Sequence, residues 1–280
     1  MKLDELAKAR EHMQKPNHSI LLYGSPKTGK TRLVGTAAKI PELTRIVWFD
    51  LENGSKTLLH MGLSDEEMGR IELIKIPDTR VMPRAIETLL KCFTVHRDHI
   101  ICDMHGKINC VDCKVDGNFT GVTFNISTMT HTELIVIDSG SQLGDSALSL
   151  ACIGKDVTFK PGYDEWGFMG KYLQDILMVI QACMYTNTVV ISHILPIEEE
   201  VNGIKRDKFF PLIGTKPFSM KVGKFFGTEI LTEIKLRKHK AGSSSTYKQD
   251  YQTGSRLNVK LDDKEVPDMR AILIEGGILK

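Results

Sequence analysis

Eight consecutive residues have the pattern of a phosphate-binding loop. They read Gly24-Ser25-Pro26-Lys27-Thr28-Gly29-Lys30-Thr31 and match G-x-x-x-x-G-K-[ST] at every fixed position. The glycines let the backbone wrap closely, so that successive N–H groups point at an anion. Lys30 would contact the β- and γ-phosphates, and Thr31 would place a hydroxyl on Mg²⁺. The pattern therefore predicts a site for ATP and Mg²⁺.

Acidic residues follow two apolar runs that read as strands. Asp138 ends the run Glu133–Asp138, and a carboxylate there can hold Mg²⁺ opposite Thr31. The alternative is a strand-end aspartate that caps the next turn. Glu52 comes two residues after the strand Arg45–Asp50 and could activate the attacking water. Asp50 is the competing candidate, and an exposed loop acid is the third interpretation of Glu52.

His193 comes directly after the apolar run Thr188–Ser192. Its ring could sense the γ-phosphate by a hydrogen bond, although a strand-end histidine with ordinary partners explains the position nearly as well. The candidate catalytic residues are accordingly Glu52, Lys30 and His193, and the candidate Mg²⁺ ligands are Thr31 and Asp138.

Two short pairs of metal-binding residue types lie close together. Cys102 and His105 form a C-x-x-H pair, and Cys110 and Cys113 form a C-x-x-C pair. Four nitrogen and sulfur ligands complete a tetrahedral zinc site, which leaves no open position for catalysis. The short spacer between the pairs keeps His96 and His99 as alternative ligands and scattered reduced thiols as the other interpretation. The pattern predicts a structural Zn²⁺ in an insertion over residues 94–131.

Apolar runs that alternate with helical stretches predict the fold. We expect strands at Ser19–Tyr23, Arg45–Asp50, Ile71–Ile76, Glu133–Asp138 and Thr188–Ser192, and helices at 1–15, Thr31–Ile40, Arg84–Phe93 and Tyr172–Tyr185. This alternation is typical of an α/β fold with a mostly parallel central sheet flanked by helices. The last 60 residues are expected to be β-rich, and residues 1–280 to form a single domain.

Composition excludes several classes of protein. Apolar residues make up 41% and charged residues 26% of 280 residues, which argues against disorder, collagen and coiled coil. No run of 18 apolar residues occurs, so no membrane span is expected. The charged first residues do not resemble a secretory signal, and the six cysteines are then expected to be reduced or metal-bound.

The net charge of +2 conceals an asymmetry. Residues 201–260 contain 13 Lys and Arg against 4 Asp and Glu, a balance of +9, so the remaining chain sums to −7. A basic region beside an acidic body suits a polyanionic partner such as nucleic acid, while a solvated basic surface is the plain alternative.

The order of these motifs resembles that of the RecA-like core ATPases. The matching segments are the phosphate-binding loop, FDLEN, IVIDSGSQ and VVISHI, and the resemblance covers roughly residues 17–240. It is strongest to small phage-encoded, AAA-type nucleotide-binding proteins associated with single-strand annealing and recombination. It implies Glu52 as the catalytic glutamate, Asp138 as the Walker B acid, and Ser192 and His193 at the polar sensor position. His193 departs from the Asn-Gln of RecA itself.

The resemblance also implies a partner and its contacts. Single-stranded DNA would bind loops at about 139–165 and 195–225, and a single-strand-binding protein and further copies of the chain are candidate partners. The basic candidates are Lys205, Arg206, Lys208, Lys216, Lys221 and Lys224, interleaved with Phe209, Phe210 and Phe218. Bases could stack on these rings, unless the rings belong to the core. Arg237, Lys238 and Lys240 could reach a neighbour's γ-phosphate. The resemblance places the protein in the cytoplasm, that of the host if it is phage-encoded.

Two other functions compete with a DNA-coupled ATPase. A P-loop kinase would need an acceptor pocket and an arginine-rich lid, for which the sequence has no compact candidate. An ATP-binding regulator, similar to a helicase loader, would bind nucleotide without DNA-coupled turnover and would tolerate the loss of Glu52.

Overall fold

A nine-stranded sheet forms the centre of the molecule. The computed structural model describes residues 18–117, 119–156, 158–183, 186–201, 204–235, 238–244, 248, 250–256, 259, 261, 268–276 and 279. Within these residues the strands are β1 Ser19–Gly24, β2 Arg45–Asp50, β3 Ile71–Lys75, β4 His99–Cys102, β5 Gly121–Phe124, β6 Glu133–Asp138, β7 Asn187–Val201, β8 Ile204–Leu212, β9 Thr228–Lys235, β10 Lys238–Gly242 and β11 Gly254–Ser255.

The main path of the sheet runs β10-β9-β1-β7-β6-β2-β3. The contacts from β9 through β3 along this path are all parallel. Among the described strands, β10 and β11 are antiparallel to β9, and β8 is antiparallel to β7. The carboxyl ends of β1, β2 and β6 and the middle of the longer β7 therefore meet at one edge, where α/β folds bind their ligands. The predicted α/β fold with a mostly parallel sheet is confirmed.

Helices cover both faces of this sheet. They are α1 Lys30–Gly35, α2 Asp65–Gly69, α3 Arg84–Thr94, α4 Val111–Val115, α5 Gly140–Ala151, α6 Tyr163–Ala182, α7 Lys216–Ser219 and α8 Met269–Glu275. Successive residues of a strand point to opposite faces, so Phe49 joins the core under α3, α5 and α6 while Trp48 joins the core under α1 and α8. Both faces of the strands are buried, which explains their uninterrupted apolar sequences.

The segment 94–131, which the sequence predicts to be an insertion, packs directly on the main core. Its strands β4 and β5 form a separate antiparallel pair. Phe124 of β5 is fully buried and meets Phe49 edge-on, with ring centroids 5.4 Å apart, and stacks on Phe93 at 5.9 Å. The apolar end of the insertion therefore shares the core of the sheet, whereas its three cysteines form a small cluster of their own with Phe119 beside it.

Some predicted boundaries need correction. The helix expected at Thr31–Ile40 is a short α-helix to Gly35 and then a 3₁₀ turn, Thr36–Lys39. The helix expected at Tyr172–Tyr185 begins at Tyr163, because the Glu165 carboxylate accepts the Gly162 N–H and closes its first turn. The C-terminal region contains strands and the helix α8. The helix predicted at 1–15 lies outside the described residues.

The strand expected at Thr188–Ser192 is also longer than predicted. It continues to Val201 and pairs with β8 in antiparallel fashion, so that the region expected as a loop begins with a β-hairpin. The polar composition of residues 198–208 hides this pairing, since charged side chains occupy both strands.

His18 is buried at the start of β1 in its neutral form. Its backbone N–H donates to Asn187 Oδ1 at 2.9 Å, and its side chain is only 1% exposed. The ring Nε2 has no hydrogen-bond partner within the described residues. Burial lowers the pKa of His18 from 6.5 to about 4, because a charged ring would lose its hydration.

We expect His18 to make the protein less stable in acid. Its folded pKa lies below its unfolded pKa, so the unfolded chain takes up the proton first, and stability is lost as the pH falls from 6.5 to about 4. The loss should reach about 3 kcal/mol. Denaturant unfolding at several pH values should show a shallower acid loss in His18→Leu than in the wild type. Equal slopes for the two proteins would contradict this assignment.

Candidate functional site

The predicted phosphate-binding loop connects β1 to α1. Gly29 has a φ of 91° at the start of α1, and Lys27 has a φ of 64°, so the chain turns through the left-handed region twice. The Lys30 ammonium group donates to the carbonyl oxygens of Gly24 and Ser25, each at 2.9 Å. It therefore lies inside the loop, where a phosphate group would compete with these two carbonyls.

The loop is held from the side by strands β9 and β10. Thr28 Oγ1 lies 2.8 Å from Thr232 Oγ1 on β9. His239 Nδ1 on β10 lies 2.9 Å from the Thr28 carbonyl oxygen, and a side chain at Gly29 would collide with the His239 ring. Sequence reasoning missed Thr232 and His239, because both are distant in sequence and neither belongs to a recognisable motif.

Thr31 and Asp138 come together as the predicted pair of Mg²⁺ ligands. Thr31 Oγ1 donates to Asp138 Oδ2 at 3.1 Å. Asp138 is 3% exposed at the end of β6, and Gly54 lies so close that its added Cβ would be 3.2 Å from the same oxygen. A hydroxyl and a carboxylate, both oxygen ligands, suit a hard cation such as Mg²⁺.

Burial moves the pKa values of Asp138 and Lys30 toward neutral pH. Desolvation raises the pKa of Asp138 to about 7, and repulsion from Asp50 and Glu52 adds to this shift. Desolvation lowers the pKa of Lys30 to about 8, although Asp138 and Glu52 oppose the change. A bound cation would favour ionised Asp138, and a bound polyphosphate would favour charged Lys30. The site is therefore suited to bind a cation and a polyphosphate together.

Glu52 faces the same cavity, of about 410 Å³, as Lys30, Thr31 and Asp138. One carboxylate oxygen accepts the Ser139 hydroxyl, and the other lies 3.1 Å from His193 Nε2. Burial alone would raise the pKa of Glu52, but the hydrogen bonds from His193 and Ser139 and the charge of Lys30 together lower it. Glu52 is thus held as a carboxylate, the form that a general base requires.

The competing acid, Asp50, has a different environment. It is 2% exposed, and its two oxygens accept the backbone N–H groups of Gly54 at 2.9 Å and Ser55 at 3.2 Å. Both oxygens are thus used to shape the loop that carries Glu52. Ser139, the contact of Glu52 that sequence reasoning did not assign, follows Asp138 directly.

The four predicted metal ligands converge in the insertion. His105 Nδ1 lies 3.2 Å from Cys113 Sγ, 3.5 Å from Cys110 Sγ and 3.8 Å from Cys102 Sγ, and the sulfurs of Cys102 and Cys113 are 3.3 Å apart. Around a tetrahedral Zn²⁺ such atoms would be about 3.5 to 3.8 Å apart. The alternative ligand His99 instead points its Nε2 at the Val95 carbonyl oxygen, 2.9 Å away.

Comparison with known proteins decides the family. The profile of a family described as an AAA domain matches residues 16–216, well over half of the chain. The chain belongs to this AAA domain family. No curated protein matches the sequence significantly.

Solved structures with a similar fold include three proteins of low sequence identity. The RadB recombinase is 15% identical, and the match covers 82% of this chain and 81% of that one, with a TM-score of 0.39. An ATPase from the type III secretion system of pathogenic bacteria is 12% identical, with coverage of 93% and 61% and a TM-score of 0.45. The flagellar accessory protein FlaH from Methanocaldococcus jannaschii is 10% identical, with coverage of 86% and 84% and a TM-score of 0.37.

Membership of the AAA domain family confirms the P-loop ATPase that the sequence predicts. The chain is a RecA-like P-loop ATPase, and its fold implies ATP and Mg²⁺ as cofactors. No helix among the described residues is long and apolar enough to cross a membrane.

The predicted DNA-binding residues of this AAA domain fall into two groups. Lys205, Arg206 and Lys208 lie on β8, where Lys205 pairs with Glu198 at 2.9 Å and Lys208 with Glu199 at 2.8 Å. Lys216, Lys221 and Lys224 are exposed after the hairpin, and within the described residues none has a carboxylate partner.

Two of the three phenylalanines interleaved with these lysines already have aromatic partners. Phe209 stacks on Tyr251, with ring centroids 4.5 Å apart, and the ring of Phe218 packs on Phe225 at 6.3 Å. Among the basic strand-end residues, Lys238 and Lys240 lie on β10, on either side of His239, while Arg237 lies outside the described residues.

We expect Glu52→Gln and Asp50→Asn to have different effects. Glu52→Gln should lower kcat for ATP hydrolysis by about 100-fold or more while ATP still binds, since only the base is removed. Asp50→Asn should chiefly lower the free energy of unfolding, by about 1 to 3 kcal/mol, because one backbone N–H loses its acceptor. Both expectations are checked by measuring kcat, the Kd for ATP and denaturant unfolding of both variants. Full turnover in Glu52→Gln would exclude Glu52 as the base.

Proposed function

We propose that this AAA domain couples ATP hydrolysis to single-stranded DNA in recombination, annealing or replication. The observation that carries the proposal is the contact between Glu52 and His193, because His193 is the residue at which β7 passes from its parallel neighbours to its antiparallel pairing with β8. A change at the γ-phosphate position would alter this contact, and the hairpin and the basic segment after it would respond.

The chemical roles follow from the positions of the side chains. Bound Mg²⁺ supplies positive charge to the phosphate oxygens. Thr31 and Asp138 would hold it, and Lys30 would leave its loop carbonyls to contact the β- and γ-phosphates. Glu52 would orient and deprotonate the attacking water, while Ser139 and His193 fix its carboxylate.

A chain of hydrogen bonds supports coupling to the basic segment. The His193 N–H donates to Ser141 Oγ at 2.9 Å, and the Ser141 hydroxyl donates to the Leu212 carbonyl oxygen at 2.8 Å. Ser192 also donates to Leu212, at 2.9 Å. Leu212 ends β8, and the exposed lysines at 216, 221 and 224 follow it. A displacement of His193 would therefore reach the start of the basic segment, as a two-state switch requires.

The charges suggest how DNA would be held. Lys216 and Lys221 can contact phosphates without first breaking an ion pair. Lys224 can do so as well, although its ammonium group lies 4.7 Å from the centre of the Phe225 ring. Lys205 and Lys208 must first exchange their carboxylate partners. Exposed ion pairs contribute at most about 1 kcal/mol, so this exchange is feasible but reduces the gain from DNA. The exposed lysines after the hairpin should therefore dominate DNA affinity, with a further copy of the chain or a single-strand-binding protein as additional partners.

We expect single-stranded DNA to stimulate steady-state ATP hydrolysis by the full chain. Lys30→Ala should abolish both basal and stimulated turnover, since the phosphates lose their lysine. Charge reversal of Lys216, Lys221 and Lys224 should remove stimulation and flatten the salt dependence of DNA binding more than reversal of Lys205, Arg206 and Lys208. A rate of ATP hydrolysis that is the same with and without DNA would favour an ATP-sensing regulator. Phosphate transfer to an added small molecule would favour a kinase.

We further propose that Cys102, His105, Cys110 and Cys113 hold a structural Zn²⁺. Their ligand atoms all lie within 4.8 Å of one another, and the three thiols are buried without forming a disulfide. Four ligands satisfy the tetrahedral preference of zinc, and no other carboxylate, thiol or imidazole is needed.

We expect about one zinc per chain in protein purified without added metal. Cys110→Ser should lose most of it, because a hydroxyl is a poor zinc ligand, and its melting temperature should fall. Cys152→Ser, outside the cluster, is the matched control and should keep the metal. Elemental analysis beside thermal unfolding measures both. Purified wild type free of zinc, or Cys110→Ser with unchanged metal content, would contradict the site.

A further inference from the structure

The turn that carries two of the metal ligands rests on the end of β3. Gly106 follows His105 with a φ of +62°, and a Cβ added there would lie 2.8 Å from the Cα of Ile76 and 2.9 Å from the Lys75 carbonyl oxygen. Backbone meets backbone at this contact, so only glycine fits. The position of the turn thus fixes the position of the chain that leaves β3.

Two further bonds close this attachment. The Thr88 hydroxyl on α3 donates to the Gly106 carbonyl oxygen at 2.8 Å in a buried place. The Gly106 N–H donates to the Cys102 carbonyl oxygen at 2.9 Å, so the turn between the ligands Cys102 and His105 is itself hydrogen-bonded. A metal held by both ligands would make this turn a rigid block between α3 and β3.

The residue that follows β3 is hydrogen-bonded to the end of β2, just before the loop that carries Glu52. The Ile76 N–H donates to the Asp50 carbonyl oxygen at 3.1 Å, and the Asp50 carboxylate accepts the N–H groups of Gly54 and Ser55 in that loop. Beside this route lies a cavity of about 510 Å³, and its lining includes residues 103–104 of the metal-binding turn and residues 51–53. The connection therefore runs from Gly106 through Ile76 and Asp50 to Glu52.

We propose that the metal-bound turn is a positioning element for Glu52, acting through Gly106 and Ile76. The inference rests on the proposed zinc site and on the proposed role of Glu52 as the base. Loss of the metal, or displacement of the turn from β3, then slows the hydrolytic step while ATP still binds. The reason is that the phosphate-binding loop lines a different cavity from the one beside the metal-binding turn, and Glu52 lies between the two.

A pair of glycine variants tests the positioning role. Gly106→Ala keeps all four ligands but forces the turn away from Ile76. Gly117→Ala is the matched control, since Gly117 lies in the same insertion with a φ of +69° and has no atom of the described residues within 4 Å of an added Cβ. Both variants place an alanine at a positive φ, but only the alanine at position 106 would collide with the backbone of Lys75 and Ile76.

The expected result is a kcat for ATP hydrolysis about tenfold lower in Gly106→Ala than in Gly117→Ala, as follows when a reacting group is displaced by a fraction of an ångström. Zinc content by elemental analysis and the Kd for ATP should stay within about twofold of wild type in both. Zinc removal with a chelator should lower kcat in the same way, and added Zn²⁺ should restore it. If Gly106→Ala does not fold, Thr88→Val, which removes one hydrogen bond to the turn, takes its place with the same expectation at a smaller amplitude.

The outcomes separate the inference from the proposals beneath it. Equal kcat in the two glycine variants, with active wild type, overturns the positioning role alone. Zinc-free wild type that hydrolyses ATP normally overturns the zinc site and this role together. Wild type that binds ATP without turnover overturns the proposed role of Glu52, and the positioning role with it. A weaker Kd for ATP in Gly106→Ala at unchanged kcat also overturns it, since the turn would then act on binding.

Discussion

The parallel arrangement of β1, β2, β6 and β7 forces charged residues out of water at one edge of the sheet. Each strand is buried on both faces, so Asp50 and Asp138 at the strand ends, and Lys30 at the start of α1, are almost fully enclosed. Burial opposes ionisation, as the pKa values of Lys30 and Asp138 show. A bound cation would favour ionised Asp138, and a bound polyphosphate would favour charged Lys30. Ligand binding would therefore offset the cost of burying these two charges.

The parts of the site that are local in sequence could be predicted from it. The phosphate-binding loop, the apolar strands before Asp138 and Glu52, and the clustered metal ligands each depend on residues within about a dozen positions. The packing of His239 and Thr232 against the loop could not, because it depends on β9 and β10 lying beside β1 although they are far away along the chain. The sequence already favoured Glu52 over Asp50 as the base, but the structural use of Asp50 needed the fold, since only its hydrogen bonds reveal it.

The charge count along the sequence does not describe the hairpin completely. Residues 201–260 are strongly basic when counted alone, but glutamates that face β8 lie just before them, at 198–200 on β7. A count along the chain cannot register cross-strand pairs. The sequence also does not reveal which aromatic rings pack on one another. Two of the rings considered for stacking with bases already stack within the fold, Phe209 on Tyr251 and Phe218 on Phe225.

Strand β7 continues from the centre of the sheet into the hairpin. It has 15 residues, and those from Ile194 to Val201 lie beyond His193. At about 3.3 Å per residue this part is roughly 26 Å long. In the proposed coupling this part would act as a lever arm that pivots at His193, beside Glu52. A tilt of about 5° there would displace its far end by roughly 2 Å, which is enough to make or break a contact with a phosphate.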